Sequence, residues 1–277
     1  MVDFQYKPRY DWADFLEIMR LLRSPGGCPW DAEQTHTSIR RDFLEETYEV
    51  LDALDRNDSV AMCEELGDIL LQVAFHTQIE SEQGHFTMDD VIDGVAKKLI
   101  FRHPHVFGGE LRADGVDEVL VNWEALKRQE KGHRSTSDAI EAVPHTLPAL
   151  WRAEKIQKKT SKAGFDWSNT ADALAKLEEE VRELRLAVES GQAVDAPHGI
   201  REEVGDTLFI AAKVAQRYGI DPEDALHRAC DKFDARFRLV EEAADKPLSA
   251  YTEDELSILW QRAKNASPQI VCNSHQD

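Results

Sequence analysis

The sequence predicts an all-α protein of two tandem helical bundles related by internal duplication, and three observations carry that expectation. Apolar residues recur at helical spacing, as in Phe43, Val50, Leu51 and Leu54, then Leu66, Ile69, Leu70, Val73 and Phe75. Strand-like alternation bounded by turns is nearly absent. An acidic pattern occurs twice: Glu45-Glu46-x-x-Glu49 with Glu64-Glu65-Leu66-Gly67-Asp68, then Glu179-Glu180-x-x-Glu183 with Glu202-Glu203-Val204-Gly205-Asp206.

The helical reading holds in order along the chain. After the first acidic helices, the second half repeats the spacing through Leu174, Leu177, Val181, Leu184 and Val188, then Val204, Leu208, Ala211, Ala212 and Ala215. Breaks fall where Gly and Pro gather: Ser24-Pro25-Gly26-Gly27-Cys28-Pro29, His103-Pro104, Gly108-Gly109, and Pro144 to Pro148. A polar stretch over 131–138 precedes the last break and reads as a linker. The expected domains are residues 1–130 and 149–265, joined by 131–148 and followed by a flexible tail at 266–277. A chain of 277 residues accommodates two ordinary domains, each with its own core.

The duplication extends beyond the acids. Lys98 and Arg102 lie one turn apart after the first cluster, as Lys232 and Arg236 do after the second. Trp123 and Trp260 follow these basic pairs, while Trp30 and Trp167 precede the acids and read as structural. Glu46 and Glu65 stand 19 residues apart, and Glu180 and Glu203 stand 23 apart. Insertions of that size belong in loops.

Helix geometry turns the spacing into chemistry. Residues three apart share a face, so Glu46/Glu49, Glu65/Asp68, Glu180/Glu183 and Glu203/Asp206 project in pairs. Four converging carboxylates repel one another, and protonation or a hard divalent cation relieves them. Each cluster therefore reads as a Mg²⁺ site, with Mn²⁺ as a substitute. The plainer alternative is a solvated acidic face. Mg²⁺ can polarise a phosphoryl oxygen and activate water, and Lys/Arg side chains can hold the remaining phosphate oxygens. Lys232 and Arg236 suit that role, and Trp260 could stack on a base. The whole set describes nucleotide hydrolysis, without a GxxxxGK[ST] phosphate loop. Lys176 stands one turn before Glu180, where the first half has Asp42. A lysine there favours a bound triphosphate and an aspartate opposes it, so the second half is expected to carry the main catalytic site. Arg40 and Arg41 could compensate in the first.

Composition narrows the class. A net charge of −20 argues against a sequence-independent binder of nucleic acid polymers, which needs a basic stripe. Cys28, Cys63, Cys230 and Cys272 are scattered, without zinc spacing, and read as reduced thiols in a cytoplasmic protein; Cys63 reads as a small core residue. No apolar run approaches membrane-spanning length, and the acidic N-terminal stretch is not a signal peptide. His103 and His105 read as a loop or dimer contact rather than a transition-metal pair.

Several motifs in order carry a family resemblance. Gly27-Cys28-Pro29-Trp30-Asp31-x-x-Gln34-Thr35-His36, Glu45-Glu46-Thr47-Tyr48-Glu49, Glu64-Glu65-Leu66-Gly67-Asp68 and Arg102-His103-Pro104-His105-Val106-Phe107-Gly108 closely resemble MazG. Lys155-Ile156-Gln157-Lys158-Lys159 with Gly164-Phe165-Asp166-Trp167 resembles the second MazG domain. The resemblance covers most of residues 10–265. It implies two MazG-like bundles that cleave nucleoside triphosphates between the α and β phosphates, giving NMP and pyrophosphate with Mg²⁺.

Carried over, the family's metal-binding acids fall on Glu180, Glu183, Glu203 and Asp206, and in the first half on Glu46, Glu49, Glu65 and Asp68. Lys232 and Arg236 take the phosphate contacts and Trp260 the base, with Lys98, Arg102 and Trp123 as first-half counterparts, and Lys176 joins them as a substrate-binding residue by its position before Glu180. The resemblance also implies a homodimer. Broad base specificity is expected, because a Trp face stacks on any base. A narrower dNTP or dUTP pyrophosphatase remains an alternative, as does a nucleotide-sensing scaffold with a GTPase partner and little turnover.

Overall fold

The computed structural model describes residues 2–108 and 135–266, together with 115, 118, 119, 122, 123 and 126. Among these residues the chain is helical and contains no strand. It divides into two compact units, Met1–Lys131 and Gly132–Asp277.

The first unit contains α1 (Trp12–Arg23), α2 (Pro29–Glu33), α3 (Arg40–Asp55), α4 (Ser59–Glu82), α5 (Met88–Arg102) and the short α6 (Pro104–Phe107). Local chemistry sets its boundaries. Asp11 and Asp14 form a capping box on α1, Asp58 accepts the backbone N–H groups of Val60 and Ala61, and Thr87 with Asp90 caps α5. Only residues 56–58 separate α3 from α4, and Asn57 takes a left-handed conformation there (φ 53°), which Asn tolerates better than most residues. So short a connection folds the two helices into a hairpin. The unit's core joins Met19, Ile39, Ala74, Phe75, Ile79 and Met88, with Phe15, Leu16, Leu22, Leu71 and Val73 packed around them.

The second unit contains α7 (Thr136–Glu141), α8 (Ala149–Lys162), α9 (Thr170–Glu189), α10 (Ile200–Arg217), α11 (Pro222–Ala243), a 3₁₀ turn (Leu248–Ala250) and α12 (Glu253–Ala266). Helix α9 packs on α10, α8 on both α10 and α11, and α12 on α11. Buried Ala153, Ala173, Ala187 and Ala212 let the helices approach closely. A second cluster, Val240, Leu259 and Ala263, closes the α11–α12 end together with Leu239, Leu248, Tyr251 and Trp260. Asp221 caps α11 and also accepts the indole N–H of Trp151 at 2.9 Å, tying that cap to α8.

One sequence expectation needs correction, and two further features bear on the core and the linker. Cys63 is exposed rather than a core residue. Its neighbours Glu64 and Glu65 belong to the polar side of α4, and a thiol is small enough to share that side. Leu51, Leu54, Leu66 and Leu70, which recur at helical spacing, are between 39% and 48% exposed. Helical spacing defines a common face without saying what covers it. Within 131–148, α7 is a capped helix packed on α8, and Val143 is only 3% exposed. Residues 131–134 and 267–277 lie outside the described residues.

Candidate metal and nucleotide site

The hairpin geometry brings the paired acids level with one another. Glu49 lies six residues before the end of α3 and Glu65 six residues after the start of α4. Glu46, Glu49 and Glu65 each offer an oxygen within 4.8 Å of the others. In the second unit Glu180, Glu203 and Asp206 do the same. The fourth acid of each set acts on its neighbours through charge: Asp68 on Glu46, and Glu183 on Glu203. Gly199 makes the second arrangement fit, since a Cβ there would meet the carbonyl oxygens of Ala193 at 2.6 Å and Ala196 at 2.7 Å as the chain enters α10.

Electrostatics follow from the crowding. Burial, then Asp68 and Glu49, push the Glu46 carboxyl above the ordinary range, and burial followed by Glu49 does the same to Glu65. Glu203 is raised by burial and then by Glu183, Asp206 and Glu180; Asp206 is raised by burial and then by Glu180. The two sites differ in their neighbours. Glu180 and Glu203 are only 5% and 4% exposed, whereas Glu49 is exposed. Lys176 donates to Glu180 at 2.8 Å and to Glu179 at 3.0 Å, and these bonds raise its own pKa. The Glu203 Oε2 is buried without a hydrogen-bond partner. An orphaned carboxylate oxygen beside two others suits an oxygen-loving divalent cation.

The remaining sequence-predicted binding residues lie on later segments of each unit. Lys232 and Arg236 lie on α11, which packs on α10; Lys232 is exposed, while the Arg236 Nε is buried without a partner. Trp260 is partly buried and sits 5.2 Å from the Phe233 ring, one residue beyond Lys232. In the first unit Lys98 is exposed, Arg102 ends α5, and Trp123 lies 6.0 Å from the His103 ring. His103 bonds the Leu99 carbonyl at 2.7 Å and closes α5, in keeping with a loop role. Trp30 is 61% exposed and Trp167 partly buried.

Sequence reasoning missed one network. Lys213, 1% exposed on α10, donates to Asp166 at 2.7 Å, Ser161 Oγ at 2.8 Å and Gln216 Oε1 at 2.7 Å. Arg217 pairs with Asp166 at 3.2 Å and donates to the Trp167 carbonyl. Burial would raise the Asp166 carboxyl, but hydrogen bonds from Lys213 and Ser161 outweigh it and hold it low. The cluster clamps the Gly164–Trp167 turn before Asn169 caps α9, the helix that carries Lys176, Glu180 and Glu183.

Comparison with known proteins decides the family. The family model described as "MazG nucleotide pyrophosphohydrolase domain" matches residues 34–107 and again 169–240, one acidic hairpin in each match. The chain belongs to the MazG family. The "Nucleoside triphosphate pyrophosphohydrolase/pyrophosphatase MazG" of Thermotoga maritima is 41% identical over 256 residues, covering 91% of this chain and 95% of the relative. The "Nucleoside triphosphate pyrophosphohydrolase" of Escherichia coli K12 is also 41% identical, over 253 residues, covering 90% and 95%. Bacillus subtilis YabN, an uncharacterized protein, is 44% identical over 260 residues, covering 92% of this chain but only 52% of YabN. The tandem MazG pair is thus a whole protein in some relatives and about half of another.

Proposed function

We propose that this MazG protein hydrolyses nucleoside triphosphates between the α and β phosphates, releasing NMP and pyrophosphate, chiefly at the second acidic hairpin. The family supports the reaction, and the unpartnered Oε2 of Glu203, close to Glu180 and Asp206, is the observation that supports a divalent cation there. Glu180, Glu183, Glu203 and Asp206 would hold Mg²⁺, or Mn²⁺ in its place. Bound there, the ion would polarise phosphoryl oxygens and activate water.

The chain's own groups do the rest. Lys176 brings a fixed positive charge to the edge of the carboxylates, where the triphosphate must approach. Lys232 and Arg236 would bind the phosphate tail. Trp260, supported by Phe233, offers a face on which any base can stack, consistent with broad specificity over rNTPs and dNTPs, ATP included. Glu46, Glu49, Glu65 and Asp68, none of them buried, would form a weaker cation site, with Lys98, Arg102 and Trp123 as the counterparts of the second-half binding residues.

Exposed apolar stripes complete the reading. Leu44, Tyr48 and Leu51 follow one face of α3, Leu66 and Leu70 run along α4, and Leu174, Val181 and Val188 line α9. A homodimer that covers these faces fits a cytoplasmic enzyme of nucleotide metabolism. No described helix is long and apolar enough to cross a membrane.

Product analysis on a panel of rNTPs and dNTPs with Mg²⁺ tests this. NMP with pyrophosphate from many bases is expected. NDP with phosphate would refute the bond assignment, and turnover of a single nucleotide would refute the broad specificity. Binding without products would favour a sensor.

A further inference from the structure

In both units the segment that leads into the EExxE helix is fastened to the ExxD helix, but with different chemistry. In the second unit the fastening is Asp166 to Lys213 and Arg217 on α10. In the first it is His36, four residues before α3, to His76 and Glu80 on α4. The Nδ1 atoms of His36 and His76 are 2.7 Å apart, with the rings stacked at 5.0 Å and 10°. His36 Nε2 lies 2.6 Å from Glu80 Oε1, and His85 Nδ1 lies 2.7 Å from Glu80 Oε2.

Counting protons shows what this arrangement permits. An ionised Glu80 only accepts, so His36 Nε2 and His85 Nδ1 each carry a hydrogen. One proton is then left for the two facing Nδ1 atoms: a neutral His36 accepts from His76, and a cationic His36 donates to a neutral His76. Protonating both rings sets two N–H groups head to head and two like charges in contact, so the contact must break.

We propose that the His36–His76 contact is a pH-operated latch on residues 35–39 of the first unit, closed at neutral pH and opened by acidification. The Asp166–Lys213 fastening of the second unit stays shut over the same range.

The groups around the latch give it this direction. From α3, the uncharged Phe43 ring faces His76, edge-on at 5.7 Å. Glu80 stands one turn along α4, already shared with His36 and with His85 from the following loop. Arg23 of α1 is paired with Glu82 at 2.9 Å. Burial, and then His36, hold the His76 imidazole below its usual value. As pH falls below about 6.5, the open form therefore takes up protons first, and the closed form loses stability down to the lower folded value. Asp166, held low by its hydrogen bonds from Lys213 and Ser161, stays ionised across that window. Helix α3 starts at Arg40, directly after the latch, so opening loosens the element that carries Glu46 and Glu49.

Amide hydrogen exchange on the full-length protein, as protection factors at pH about 7.5 and about 5.5, tests the latch in wild type and His76→Asn. Asn can donate to His36 and takes no proton. Wild type is expected to lose about tenfold in protection over 35–39 on acidification, while 165–169 and the variant change less than about twofold. Equal loss in both segments, no loss at 35–39, or the same loss in the variant would overturn the proposal. Should His76→Asn fail to fold, NMR titration of wild type decides. Coupled, two-step titration of His36 and His76 supports the latch, and independent titration at ordinary values refutes it.

Discussion

Removing the charge from Glu203 is expected to help the fold and abolish the chemistry. Its carboxylate is buried, one oxygen has no partner, and four other acids crowd it. Glu203→Gln should raise the denaturation midpoint of the metal-free protein while eliminating turnover. A destabilised variant with full activity would contradict that. The same crowding makes a prediction about pH. Glu46, Glu65, Glu203 and Asp206 have folded pKa values above their ordinary ones, so the native state binds protons more tightly than the unfolded chain. The cost of holding them ionised is fully felt above the folded values and fades as pH falls toward about 4.5. Mg²⁺ competes with those protons, so the rise in Tm on adding Mg²⁺ should be larger at pH about 8 than at about 5. An equal rise at both would mean that the ion binds elsewhere.

At the scale of elements, the acidic hairpins were legible and their fastenings were not. The EExxE and ExxD patterns place side chains on one face through the local three-to-four periodicity of the helix, which needs no knowledge of the fold. The Lys213 to Ser161 bond spans 52 residues and the His36 to His76 contact spans 40. No periodicity links such pairs; each histidine or lysine read alone is an ordinary polar residue. Asp166 did stand in a quoted motif, Gly164-Phe165-Asp166-Trp167, but its partner emerges only when α8 and α10 pack. Because Lys213 is almost fully buried, Asp166→Ala leaves a cation unpaired inside the second unit and should cost about 3 kcal/mol in urea unfolding. A cost below about 1 kcal/mol would show the clamp to be incidental.

Over the whole molecule, the duplication was readable because acids, basic pairs and tryptophans recur in the same order, and both family matches centre on the acidic hairpins. What covers the apolar stripes was not readable, since Leu44, Tyr48, Leu51, Leu66 and Leu70 obey helical spacing whether they face a core or another chain. Light scattering should give twice the 31.5 kDa chain mass, and Leu51→Glu with Leu70→Glu should reduce it toward the single-chain value. A monomeric wild type would leave the stripes unexplained. The halves themselves are unequal copies: two buried acids, Glu180 and Glu203, with Lys176 in the second, and no buried acid, with Asp42 and a histidine fastening, in the first. The claim that the second half performs the hydrolysis is tested most directly by pyrophosphate release from Glu203→Gln and Glu65→Gln, the matched positions. A loss of at least about 100-fold in kcat/KM for Glu203→Gln, with Glu65→Gln within about threefold of wild type, is the expected result. An active Glu203→Gln beside an inactive Glu65→Gln would move the catalytic site to the first half and contradict the account.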